Sequence, residues 1–72
     1  AVLLEYVAQA GSEITETNIK NLNLPKGSII GGYIRDDEGF IGIGDSKINP
    51  GDKVVVFSLP DAVKKLEKFF EK

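Results

Sequence analysis

Apolar and polar positions change rhythm several times along these 72 residues. VLLEYVAQ (residues 2 to 9) is apolar, partly alternating and rich in strand formers, which predicts an opening strand that ends at Gly11-Ser12. A short helix follows over Asn18 to Leu22, with Thr17 as its cap and Ile19 and Leu22 one turn apart on the same face. Pro25 and Gly27 close it. SIIGGYIR (residues 28 to 35) is a second strand, in which Gly31 and Gly32 mark a bulge or a close backbone approach.

Asp36-Asp37-Glu38-Gly39 is hairpin chemistry, and Gly39 is expected to take the positive φ where the chain re-enters the ladder. Phe40, Ile41 and Ile43 then form a third strand. Asn49-Pro50-Gly51-Asp52 places proline and glycine in the type II turn positions. KVVVFSL (residues 53 to 59) is the most apolar strand and is expected at the centre of the sheet. Pro60 and Asp61 suit the start of a last helix, over residues 61 to 70. Val63, Leu66 and Phe70 line one face of it, with Phe69 beside them. Lys64, Lys65, Glu67, Lys68 and Glu71 cover the other. The resulting fold is α+β: a four-stranded, mainly antiparallel sheet with two helices on one face, in the order βαβββα. Short connections predict that the last three strands form a meander.

Composition narrows the function. A chain of this length makes a single domain with little spare core, so association is a reasonable source of further stability. There is no cysteine for a disulfide and no histidine for a zinc site or general base, so no catalytic residue and no metal ligand set is expected. The formal net charge is −2 with neither sign in a block, which argues against nucleic acid. No apolar run approaches the roughly 20 residues of a membrane span. No signal segment is visible at Ala1, so the chain reads as a piece of a longer protein, and the absence of cysteine is compatible with the cytoplasm.

GFIGIGDSK (residues 39 to 47) comes near two phosphate-binding templates and fails both. Gly39 and Gly44 have the P-loop separation, but Asp45 stands where the lysine must reach the phosphates. A dinucleotide fingerprint from Gly42 and Gly44 meets Lys47 instead of its third glycine, and no long helix follows. Asp36, Asp37 and Glu38 lack the spacing of a calcium loop and read as a solvated turn. Arg35, the only arginine, is open to two readings. It is either an exposed residue paired with Asp36 or Asp37, or an anion clamp whose guanidinium fork holds phosphate or carboxylate. As a clamp, its removal leaves stability nearly unchanged.

The run LNLPKGSIIGGYIRDDEGFIGIGDSKINPGDKVVVFSLPDAVKKLEKFF resembles the TrkA C-terminal domain family, also called the RCK C-terminal domain. The resemblance rests on Asn21-Leu22-Asn23-Leu24-Pro25-Lys26-Gly27, the isoleucine-rich strand ending in Arg35, and Gly44-Asp45 ahead of Asn49-Pro50-Gly51-Asp52. It implies a non-enzymatic regulatory domain at the C-terminal end of a longer cytoplasmic protein, paired as a homodimer and joined through its parent protein, peripherally at the inner membrane, to a membrane potassium transporter or channel subunit. It also implies that Ile29, Ile30, Ile34 and Arg35 line a groove between two copies. In some members of the family that groove takes a small anionic ligand such as cyclic di-adenosine monophosphate. A ligand-sensing module and a purely structural dimerisation domain both remain open at this point.

Overall fold

The computed structural model describes residues 1–71. Four strands make one antiparallel sheet: β1 (Val2–Val7), β2 (Ser28–Arg35), β3 (Glu38–Ile41) and β4 (Lys53–Ser58). One α-helix, α1 (Val63–Phe70), follows a 3-10 turn at Pro60–Ala62. The expected first helix is shorter than a true helix. It is a single 3-10 turn over Ile19–Asn21, preceded by another at Glu13–Thr15. Asn18, not Thr17, sits at the start of the second turn. Ile19 and Leu22 nevertheless both pack against the core, as their spacing requires.

The strand order is β1-β4-β2-β3, so β4 is central as its composition suggests, but the last three strands are not a meander. β3 ends at Ile41 rather than Ile43, and residues 42 to 52 are left to cross the end of β2. That crossing is held by backbone bonds to the 3-10 turn. The Ile19 N–H donates to the Ser46 carbonyl at 2.9 Å, and the Lys20 N–H donates to the Gly44 carbonyl at 3.0 Å. β4 then enters between β1 and β2, where both its edges are paired and Val54 and Val56 are fully buried.

The β2–β3 hairpin also differs from expectation. Arg35 pairs with Glu38, leaving a two-residue loop, and it is Asp36 (φ 52°) and Asp37 (φ 65°) that take the left-handed conformation. Such a loop needs positive φ at both central residues, and aspartate tolerates it better than most side chains. Gly39 is an ordinary strand residue opposite Ile34. At the other turn Gly51 does carry φ 91°, and the Asp52 N–H closes onto the Asn49 carbonyl at 3.1 Å.

One face of the sheet carries the core. Ile30, Tyr33, Val54 and Val56 meet Ile14, Ile48, Leu66 and Phe70, and Tyr6 stacks on Phe70 with ring centroids 4.5 Å apart. The phase of β2 over this core is set at Gly31. Ile30 pairs with Val56 and Gly32 with Val55, so Gly31 is an extra residue in the strand. A β-carbon on Gly32 would lie 2.5 Å from the Phe40 carbonyl oxygen, a backbone atom that the β2–β3 ladder fixes. Gly32→Ala is therefore expected to cost roughly 1–3 kcal/mol in chemical denaturation. Gly39→Ala, which meets nothing within 4 Å, is expected to stay within about 0.5 kcal/mol of the parent.

Candidate functional site: an uncovered sheet face and an arginine clamp

Among the described residues, the helix and the 3-10 turns all cover the same side of the sheet, and no element covers the opposite side. Alternation puts Leu3, Val7, Ile29, Phe57, Ile34 and Ile41 on that uncovered side, with exposures from 37% for Ile34 to 79% for Ile41. A soluble monomer seldom exposes so many large apolar side chains on one contiguous surface. Within it lies a shallow trough of about 390 Å³. Gly31, Gly32 and Gly39 leave its floor bare, and Phe57, Ile34 and Ile41 line its sides. The glycines keep this side flat for the same steric reason that they are needed. At Gly31 a β-carbon would stand 2.9 Å from the Phe57 ring.

The four residues expected to line a ligand groove do not share one face. Ile29 and Ile34 lie on the uncovered side, opposite Phe57 and Lys53. Ile30 is 6% exposed and belongs to the core. Arg35 lies on the core side as well, at the end of β2, with its guanidinium 4.9 Å from the Tyr33 ring centroid and 5.9 Å from that of Phe40. Sequence neighbours in a strand face opposite ways in any register, and the one-residue bulge at Gly31 decides that Ile34, not Arg35, joins Ile29. It shifts the alternation of every later residue in β2 by one place.

Arg35 is also not paired with its neighbouring aspartates. Its partner is Asp52, seventeen positions away. Nε donates to Oδ1 at 2.9 Å and Nη2 to Oδ2 at 2.6 Å, in the fork geometry that suits guanidinium and carboxylate. Nη2 also donates to the Lys47 carbonyl at 3.0 Å, and Oδ2 of Asp52 accepts the Asn49 N–H at 2.9 Å. One guanidinium thus fastens the end of β2 to the crossing segment and to the turn that launches β4. Sequence reasoning missed Asp52. The available signal was its place in the Asn49-Pro50-Gly51-Asp52 turn, directly before the central strand, but nothing local says which cation it meets.

These contacts shift both groups away from their ordinary titration. The hydrogen bonds from Arg35 hold the Asp52 carboxyl below its ordinary value of 3.8, against the opposing effect of burial. The Arg35 guanidinium is pushed further up by the same bonds. Beside the pair, a polar hollow of about 300 Å³ is bounded by Arg35, Asp36 and residues 49 to 52. Among the described residues there is no group of three or more acidic side chains able to hold a metal ion. No helix among them is long and apolar enough to cross a membrane.

Together these features define a small α+β domain with one packed face and one bare apolar face. Comparison with known proteins gives it a family. The model of the TrkA-C domain matches residues 3–71, and the chain belongs to that family. It is 37% identical over 71 residues to the Trk system potassium uptake protein TrkA homolog 1 of Methanosarcina mazei, and 35% identical to homolog 2 of the same organism. Each match covers 99% of this chain and 16% of the relative, so the chain spans about a sixth of their length. A TrkA homolog of Archaeoglobus fulgidus is 40% identical over 52 residues, covering 72% of this chain and 12% of that protein. A solved structure of an RCK domain with cda has the same fold, with a TM-score of 0.80 at 22% identity. That match covers 99% of this chain and 100% of the other.

The geometry reverses the expectation for Arg35→Ala. Removing the guanidinium leaves the Asp52 carboxylate, only 2% exposed, without its counter-charge and the Lys47 carbonyl without a donor. The melting temperature is expected to fall by roughly 5–10 °C. The pH dependence has a definite sign. A carboxylate whose folded pKa is depressed contributes stability that is present above its unfolded value and is lost as pH falls through the folded one. The parent should lose stability in acid below about pH 4, and Asp52→Asn should be less stable at pH 7 with a shallower decline below pH 4. Thermal melts between pH 2 and 7 check both.

Proposed function

We propose that this domain is a regulatory module of a cytoplasmic subunit that controls potassium uptake, and that it works by pairing with a second copy of itself through the uncovered sheet face. The observation that carries the pairing is the bare apolar surface of Leu3, Ile29, Phe57 and Ile41, floored by glycines. A stable interface takes about 800 Å² from each partner. That is about a sixth of this chain's 4636 Å² of surface. The potassium reading is supported by the relatives, which are TrkA homologs of Trk potassium uptake systems. In this reading the transporter partner is met through the parent protein, and the domain sits at the membrane peripherally. A non-catalytic role accords with a chain that has neither histidine nor cysteine.

Ligand sensing is the finer form of the proposal. Ile29 and Ile34 would give a flat apolar body a seat beside the trough, Ile30 would support the strand from beneath, and Arg35 would meet an anionic group at the hairpin end. One observation favours the plainer reading, in which the domain pairs and binds nothing small. Arg35 is already held in a two-pronged grip by Asp52, and an anion would have to share it.

Sedimentation and calorimetry separate these readings. The 72-residue chain is expected to be a dimer at micromolar concentration. Ile41→Glu should be monomeric, with its melting temperature within roughly 5 °C of the parent, because Ile41 is 79% exposed in the monomer. A parent that stays monomeric at high micromolar concentration overturns the pairing. Titration with nucleotides and cyclic dinucleotides then decides the finer point. Saturable heat with any of them supports sensing, and a dimer that gives no heat with any of them supports the structural form.

A further inference from the structure

The side chains that reach the uncovered face from the four strands are aliphatic, aromatic or glycine, with two exceptions. Glu5 stands on β1 opposite Val55, and Lys53 begins β4 opposite Val7. The two are therefore diagonal neighbours at one margin of the apolar surface. Their contact within the chain is loose. Lys53 Nζ is 3.7 Å from Glu5 Oε1, and the side chains are 48% and 56% exposed, so the pair adds little to the stability of a single copy.

One acid and one base side by side on an otherwise apolar face make that face self-complementary. Two copies placed face to face are related by a twofold axis lying in the plane between them, and each residue then meets the counterpart of whatever lies across that axis. An axis passing midway between Glu5 and Lys53, at right angles to the line joining them, lays each Glu5 over the partner's Lys53. With strands about 4.8 Å apart and about 3.4 Å of rise per residue, the same axis runs diagonally across β4 and over β2 near Gly31 and Gly32. That is the glycine floor of the trough, where the absence of side chains lets two sheets approach most closely. The charge pair and the bare floor thus fall on one line.

From this juxtaposition we infer that Glu5 and Lys53 exchange partners when two copies pair, forming two intermolecular ion pairs that fix the register and orientation of the dimer. The inference rests on the pairing proposed above. Burial of the apolar face drives association, and the charges select one docking among those that a flat greasy surface permits. A register that lays either charge on the partner's apolar side chains desolvates it without compensation.

Charge reversal in separate chains tests the exchange. Glu5→Lys alone and Lys53→Glu alone should each keep the fold, as read by circular dichroism, and each should weaken self-association at least about tenfold in sedimentation. An equimolar mixture of the two should form a heterodimer within about threefold of the parent's affinity, because Lys at position 5 of one chain then meets Glu at position 53 of the other. An ion pair confined within each chain is broken in both variants, and mixing cannot restore it. Single variants that associate as tightly as the parent overturn the inference, as does a mixture no tighter than its components; in both cases the proposed pairing itself stands. A monomeric parent overturns the pairing and this inference together.

Discussion

Gly31 adds one residue to β2, and the arrangement of the domain depends on it. Without the insertion, strict alternation would turn Tyr33 away from the core and bring Ile34 onto it. Arg35 would then point to the bare side of the sheet. With it, Ile30 and Tyr33 both face the core opposite Val56 and Val54. Arg35 reaches the buried Asp52, and Ile34 joins Ile29 outside. A bulge of this kind needs residues that tolerate crowding from adjacent strands, and glycines at 31 and 32 meet that need beside Phe57 and the Phe40 carbonyl.

Two consequences divide the molecule by function. On the covered side, the Arg35–Asp52 pair does work that the short secondary elements cannot. It ties the hairpin end, the crossing segment at Lys47 and the turn at Asn49 to one charged group. A domain with a single eight-residue α-helix has few other ways to hold an eleven-residue crossing in place. On the bare side, the same flattening that accommodates the bulge leaves a surface that water wets poorly. Among the described residues nothing covers that face, and the pairing proposed above would supply the cover.

Much of the fold was legible in the sequence because its signals were local. β2 matched residues 28 to 35 to the residue, the last helix runs from Val63 to Phe70 after a 3-10 turn that starts at Pro60, and the Asn49–Asp52 turn closed as its proline and glycine require. Two of the misreadings were also local in origin. Gly39 drew the positive φ away from Asp36 and Asp37, because glycine is the usual occupant of that conformation and the exact length of the loop is invisible before pairing is known. Ile43 extended β3 beyond its true end, because an apolar residue two places on fits a strand whether or not a neighbour is there to bond it.

The sequence by itself determined the strand and turn positions, the amphipathic last helix, the absence of histidine and cysteine chemistry, and the family. These depend on propensity, periodicity and motif order, which act over a few residues or survive as a pattern. Only the tertiary structure decided that β4 lies between β1 and β2, that Asp52 and not Asp36 holds Arg35, and that Ile29 and Ile34 part company with Ile30 and Arg35 across the sheet. Each of those outcomes turns on pairing between distant segments. A one-residue shift in register reverses every side chain beyond it, and no local preference records that shift.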